Sequence, residues 1–502
     1  IFQSMFLTAS LVFVMGSCVE DLDQAPLSNV GANGYFRNAA DFNFAVAGVY
    51  SSLRTYPQRQ IDYFEVRSDN IYVSHSTPQP HTQINDFSVT LASVPLIASS
   101  WNENYAGIAR ANTVLEKITP AVIADEAVYN QYVGEVKFLR ALYYLDLVRT
   151  YGAVPLVDET ISPDESLTIA RSAPAEIYDR IIIPDLQEAI AKLPASFTGA
   201  NVGRATSWAA KALLARVYLT RSGPDYGIQG PGLNANEYDD ALGLLNDIVN
   251  NGPFGWVSDY ALIFAYNNEN NPDIIFDVQL LNGAGSEYPA LMYPQAFGQD
   301  MTFPYAGGVN TGSSKEVTPD LVSSYDTANL NDARRAAVMV DGWTPPTTGV
   351  FRAESFFSKF VNVTVAKTLP DRFNFPINFP IIRYTDVLMM RAEALLKTGG
   401  SQAEVDAIVN QVRARAGVPD MSNVTYEQLI EERRREFAGE GQRWHDLVRS
   451  GLVKTVMDAW LAVGDENNAM PDALDVNHII YPVPFAQIDV KKGLYQQNPG
   501  YN

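Results

Sequence analysis

The side chains able to act on a substrate or hold a metal are few in this chain, and their spacing speaks against catalysis. Its four histidines, His75, His81, His445 and His478, include no HExxH pair, so a helix-borne zinc site with its general base is not encoded. His75 and His81 flank the sequence STPQP and belong to one loop, where a polar loop is a stronger reading than a metal site. The single cysteine, Cys18, excludes an internal disulfide and any CxxC zinc site. There is no GxSxG. In GGVNTGSSK, Gly307 and Gly312 have P-loop spacing, but Ser313 stands where a lysine must reach the phosphates. The densest charge cluster is EQLIEERRREFAGEGQRWHDLVRSG. There Glu432, Glu436 and Glu440 recur with Arg433, Arg443 and Asp446 at helical steps of three and four. Paired carboxylates for glycoside hydrolysis must face one cleft; interleaved with arginines they form a structural ion-pair network instead. Trp444 and Leu447 supply that segment's buried side. No acid/base constellation stands clear of these ion pairs, which speaks against an enzyme.

A chain of 502 residues exceeds one ordinary core, so several domains or one large repeat architecture is expected. Its 47% hydrophobic and 19% charged residues are ordinary for a globular protein. A net charge of −21 argues against nucleic acid and anionic lipid as partners of a basic face. From Met5 to Met15 the chain is apolar except for Thr8 and Ser10, too short to span a bilayer and suited to a signal-peptide core. The basic stretch that usually precedes such a core is missing and the first residue is Ile, so a few residues upstream are expected. Met-Gly-Ser-Cys then resembles a lipobox with Met15 as its loosest position; on that reading Cys18 is a lipidation site, residues 1–17 the signal peptide and 18–30 a solvated tether, the alternative being an ordinary secretory signal with an incidental cysteine.

Two helical regions follow. NQYVGEVKFLRALYYLDLVRTYGAVPLV carries apolar stripes on two faces, which predicts a helix packed on both sides and stopped at Gly152, with Pro155 beyond. RATSWAAKALLARVYLTRSG predicts a long helix, and NANEYDDALGLLNDIVNNG its return partner, entered through an asparagine cap. IIRYTDVLMMRAEALLKTGGSQAEVDAIVNQVRARAGVP predicts a helix, a Gly-Gly turn and a helix; small alanines in a unit near 34 residues are similar to tetratricopeptide repeats. Residues 252–380 and 56–100 are rich in loop formers and read as loops and small strands, ordered and functional.

Seven segments in order carry a resemblance. AVAGVYSSLR, WNENYAGIARANTVLEKI, GEVKFLRALYYLDLVRTYGAVPLV, RATSWAAKALLARVYL, IIRYTDVLMMRAEAL, ERRREFAGEGQRWHDLVRSG and the ending YPVPFAQIDVKKGLYQQNPGYN together resemble the SusD/RagB family. The resemblance implies a mainly α fold: tetratricopeptide-like helix pairs as scaffold, with a loop-rich, small-strand region carrying the ligand. It divides the chain into an N-terminal helical region, 31–251, a loop-rich insert, 252–380, and a C-terminal helical region, 381–502. It implies a non-catalytic, surface-exposed lipoprotein of the outer membrane, with Glu20 and Asp21 after the cysteine favouring display on the outer face. Its partner would be a SusC-like TonB-dependent β-barrel transporter, and its ligand an oligosaccharide or, as in the RagB branch, a peptide. No cofactor is implied, and a calcium ion ordering a loop is left open.

Sugar binding needs aromatic faces for rings and polar forks for hydroxyls. The residues expected to supply them are Arg67, Asp69, Asn70, Tyr72 and His75 in the first loop and Trp101 with Asn102 at the start of the following helix. Tyr288, Tyr293, Tyr305 and Trp343 are expected from the insert. Trp101 also suits a core anchor, since Tyr105, Ile108 and Asn112 follow at helical spacing.

Overall fold

The computed structural model describes residues 35–75, 80–281, 288–304, 313–325, 332–463 and 470–502. The expected signal peptide, Cys18 and the tether lie outside them, as does Tyr305. The fold is mainly helical, with a few short strands.

The N-terminal scaffold begins with α1 (Ala39–Tyr50), whose cap residue Asn38 accepts from the backbone N–H groups of Ala40 and Asp41. It continues through α2 (Pro95–Lys117), α3 (Glu126–Tyr151), α4 (Ile183–Lys192), α5 (Ser207–Ser222) and α6 (Tyr238–Asn251). From α2 onward each helix packs on the next, and α6 packs on α7 (Tyr384–Thr398), which turns back as α8 (Gln402–Ala416). Stacked helix pairs of this kind make a rigid support whose neighbours stabilise one another. The two-sided pattern of α3 is realised: from Tyr132 to Tyr151 its residues are buried except Lys137, and Gly152 ends it at φ 72°. Its tyrosine hydroxyls cross-brace the scaffold, Tyr143 donating to the Val49 carbonyl at 2.6 Å and Tyr144 to that of Val157 at 3.0 Å. At Gly107 of α2 a Cβ would sit 2.5 Å from the Tyr143 ring, so only glycine allows these two helices so close. The α7–α8 turn uses Gly399 in the left-handed region and Ser401 as the next cap, as the Gly-Gly-Ser sequence requires. The return helix α6, by contrast, starts at Glu237 without a side-chain cap rather than at the expected asparagine.

The strands come in antiparallel pairs. β1 (Ile71–His75) joins β5 (Ser313–Val317); β2 (Val154–Pro155) joins β3 (Arg171–Ser172); β4 (Ile274–Val278) joins β8 (Phe379–Arg383); and β6 (Met339–Trp343) joins β7 (Arg352–Phe357). The apolar core runs from Phe42 to Tyr501 and takes residues from all three expected regions.

A buried charge web fastens the insert to the C-terminal helices α9 (Tyr426–Phe437) and α10 (Arg443–Ser450). Arg383 bonds Asp273 at 2.8 Å, Glu436 at 3.2 Å and Glu440 at 2.9 Å. Glu436 also holds Arg415 at 2.6 Å, while Glu432 holds Arg334 and Arg413, each at 2.8 Å. Arg433 bridges Asp446 and Asp386, and Arg216 of α5 reaches the same Asp386. The charge cluster is therefore the structural network expected of it. Such a web adds little net stability over an apolar replacement, but it penalises any arrangement that separates its members.

Candidate ligand-binding face

Most of the residues expected to bind ligand are consumed by the fold. Arg67 is fully buried, its guanidinium 4.4 Å from the Phe87 ring and 4.5 Å from that of Tyr481, and donates to the His478 carbonyl and the Tyr501 hydroxyl. Asp69 is clamped by Arg443 at 2.8 Å and Arg434 at 3.1 Å. Burial alone would raise its carboxyl, but those two guanidiniums outweigh burial and hold it at about 2. Asn70 donates to Glu65 and accepts from Arg434. These three groups are turned inward, correcting their assignment to sugar hydroxyls. A buried polar group must be satisfied by the chain itself, and here it is.

The same correction applies to the aromatic residues of the insert. Tyr288 is buried between Phe360 and Phe379, and its hydroxyl donates to the carbonyls of Ile377 and Asn378. Tyr293 packs against Phe297, Phe303 and Phe356. Trp343 packs edge-on to Phe297 and Phe356 and donates its indole N–H to Asp300 at 2.8 Å. A loop-rich segment of small strands needs its own core, and these rings are that core.

An open groove lies at β5 and β7. Their contact is fastened by the Ser355 hydroxyl, which donates to the Val317 carbonyl at 3.1 Å. Beside it runs this groove, of about 660 Å³ and lined by Glu316, Val350, Phe351, Arg352 and Glu354, among others. Phe351 is 64% exposed, an unusual state for a phenylalanine in an ordered strand region. Its position is built in: the β6–β7 ladder shifts register between Asp341 and Trp343, and Gly342 there has φ 75°. A Cβ on Gly342 would lie 2.3 Å from the Phe351 ring, so the glycine bulge makes room for that ring over β6. Arg352 sits over the Trp343 face at 5.7 Å and pairs through Nε with Asp300 at 2.8 Å, while its side chain stays 40% exposed.

Tyr72 borders this face. It is half-buried and pairs directly with Glu316 across the β1–β5 ladder, and directly opposed residues share a face. His75 ends β1 opposite Ser313; its side chain lies outside what is described. Beneath the ladder Lys315 donates to the buried Asp62 at 2.7 Å, and His81 lies 3.0 Å from the same oxygen. Burial would raise the Asp62 carboxyl, but Lys315 and His81 outweigh it and hold it well below the usual range. His81 thus pairs with a carboxylate. Among the described residues no group of three His, Cys, Asp or Glu side chains is arranged to hold a metal.

Trp101 and Asn102 sit elsewhere, on α2, where they line a separate groove that shares no lining residue with the first. Trp101 is 3% exposed, close to the core-anchor reading, and Asn102 is exposed. Sequence reasoning missed Phe351, Arg352, Glu316 and Glu354. The available signal was VFRAE following a Pro-Pro-Thr-Thr-Gly turn, an apolar pair at a hairpin start with charges alternating behind it.

Two family models match the chain, one described as "SusD family" over residues 346–501 and one as "Starch-binding associating with outer membrane" over residues 28–219. A SusD-like protein of Bacteroides ovatus is 26% identical over 465 residues, covering 89% of this chain and 82% of that protein. A SusD-like protein of Formosa agariphila is 27% identical and covers 98% of both chains. The starch-binding protein SusD of Bacteroides thetaiotaomicron is 34% identical over 125 residues, 25% of this chain and 22% of that protein. Among solved structures, a laminarin-binding SusD-like protein superposes with a TM-score of 0.75 at 25% identity, covering 93% of this chain and all of its own. A SusD superfamily protein from Parabacteroides distasonis superposes with a TM-score of 0.73 at 26% identity, covering 91% of this chain and 99% of its own.

Proposed function

This chain belongs to the SusD/RagB family, and from that premise we propose that it captures an oligosaccharide at the outer membrane and passes it uncleaved to a SusC-like TonB-dependent β-barrel transporter. The observation that carries the reading is the exposed Phe351 ring, held over a glycine bulge beside Arg352, Glu316, Glu354 and Tyr72. An open ring flanked by forked polar groups suits a sugar: the ring covers the apolar face and the forks bond the hydroxyls. The laminarin-binding relative and the starch-binding description of one matching family model support carbohydrate as the ligand class. The second description's outer-membrane association supports the location, and lipidation of Cys18 would supply the anchor. Function on irregular strands and loops over a rigid helical scaffold is the usual division of labour.

The test is calorimetric titration of the protein with soluble polysaccharides and, separately, a mixed-peptide digest. Heat with one glycan class, weakened about tenfold by Phe351→Ala, is the expected result, a loss of about 1.4 kcal/mol. Heat with the digest alone would move the protein to peptide capture. Unchanged glycan affinity in Phe351→Ala would remove the groove from the site.

A further inference from the structure

The groove on α2 has the build of a second ligand site. It lies between α2, the segment carrying the β2–β3 ladder and the C-terminal stretch, and encloses about 510 Å³, within the range of small-molecule clefts. Trp101 and Tyr105, one helical turn apart, share a face of α2, with ring centroids 5.3 Å apart. Tyr495 arrives from the C-terminal stretch, 6.3 Å from Trp101. Each wall is held in place. The Tyr105 hydroxyl donates to the Pro155 carbonyl at 2.6 Å, and Trp101 rests edge-on against buried Tyr151. Arg171 of β3 clips the C-terminal stretch to the ladder, donating to the carbonyls of Ala153 and Gln496, each at 2.7 Å, and to the Asn498 side chain. Lys491 closes the opposite rim on the Leu167 carbonyl at 2.7 Å. At the mouth, the Gln487 side-chain amide donates to the Asn102 side-chain oxygen at 3.2 Å, which leaves the Asn102 N–H₂ and the Gln487 side-chain oxygen for a ligand.

We propose that this groove is a second saccharide site, taking a short stretch of neutral oligosaccharide with ring faces on Tyr105 and Tyr495 and hydroxyls on Asn102 and Gln487. The wall carbonyls of Pro155 and Leu167 are already engaged, so the groove offers those positions to no extended peptide seeking a strand edge. A preformed cleft of aromatic rings with a few side-chain amides instead suits a rigid, amphiphilic sugar ring. The proposal rests on reading the protein as a glycan binder, but not on the loop-rich face being its site. Two sites on one molecule would make a long glycan bind more tightly than a short one when its span matches their separation.

The test titrates the full chain with hexasaccharides of β-glucan, α-glucan, mannan and xylan type, in wild type and in Phe351→Ala, Ala109→Trp, Tyr495→Ala and Asn102→Ala. Ala109 is exposed on the groove wall, so the indole would fill the cleft without entering the core. Phe351→Ala should weaken one of two binding steps about tenfold and leave the other unchanged, Ala109→Trp should abolish that other step, and Tyr495→Ala should weaken it about tenfold. If Ala109→Trp fails to fold, Asn102→Ala, at an exposed position, decides in its place. The proposal is overturned if Phe351→Ala binds no sugar, if the groove variants leave every affinity and stoichiometry unchanged, or if wild type binds none of the sugars. Loss of binding only in the groove variants would instead overturn the loop-face reading and leave this one standing.

Discussion

Replacing Asp277 with asparagine should flatten the dependence of stability on pH. Asp277 lies at the irregular stretch of the β4–β8 ladder, 4% exposed, and accepts from the Gln279 side chain. Burial pushes its carboxyl up to about 7; the Gln279 bond opposes this and nearby Glu269 adds to it. The folded state therefore holds a proton that the unfolded chain releases near pH 4. Stability from this group is fully present below the unfolded value and is lost as pH rises through 7. A difference of roughly three units corresponds to about 4 kcal/mol over the whole range, or about 1.4 kcal/mol per pH unit between pH 5 and 7. Asparagine keeps the oxygen that Gln279 bonds and cannot ionise. Urea unfolding of both proteins at pH 4, 5, 6, 7 and 8 measures the difference directly, and other titrating groups cancel in it. The two should be nearly equal at pH 4, with the variant gaining steadily until about pH 7 and by a constant margin above. Parallel curves across the range would refute the argument, because they would mean the carboxyl ionises in the folded state as easily as in water.

Three further outcomes follow from the packing. Glu436→Gln leaves Arg383 and Arg415 short of a carboxylate inside the protein and should cost about 3–5 kcal/mol in urea unfolding. Gly107→Val drives side-chain atoms into the Tyr143 ring and should cost about 1–3 kcal/mol, seen as a lower melting temperature with helical content retained. Gly342→Ala forces a side chain onto a left-handed bulge and against the Phe351 ring, at about 1–3 kcal/mol. It should also weaken glycan binding as Phe351→Ala does, and a titration indistinguishable from wild type would count against the role of the bulge.

The helices were legible in the sequence because their evidence is local. Two apolar stripes and a glycine stop described α3, and Gly-Gly-Ser described the α7–α8 turn almost to the residue. The charge-dense run of 432–446 likewise signalled an ion-pair network, but its partners, Arg334, Arg383, Arg413, Arg415 and Asp386, lie mainly on other elements. The binding residues were far less legible. Arg67, Asp69 and Asn70 have the side chains of a sugar site, but their partners Arg434, Arg443, His478 and Tyr501 lie hundreds of residues away and draw them inward. Tyr288, Tyr293 and Trp343 fall in a loop-forming segment, and no spacing within it distinguishes a ring that fills a small core from one that faces water.

By itself the sequence determined the helical scaffold, the absence of the common catalytic motifs, the ordered run of segments that resembles the SusD/RagB family and the presence of a loop-rich insert. These depend on residue type and short-range period, which survive without knowledge of what packs on what. Only the tertiary structure decided that β5 meets β7, that Gly342 clears space for an exposed Phe351, and that a C-terminal tyrosine completes a groove begun by Trp101 and Tyr105. The physical reason is that exposure and cleft formation belong to long-range contacts: a side chain becomes available to a ligand only when no distant part of the chain has covered it.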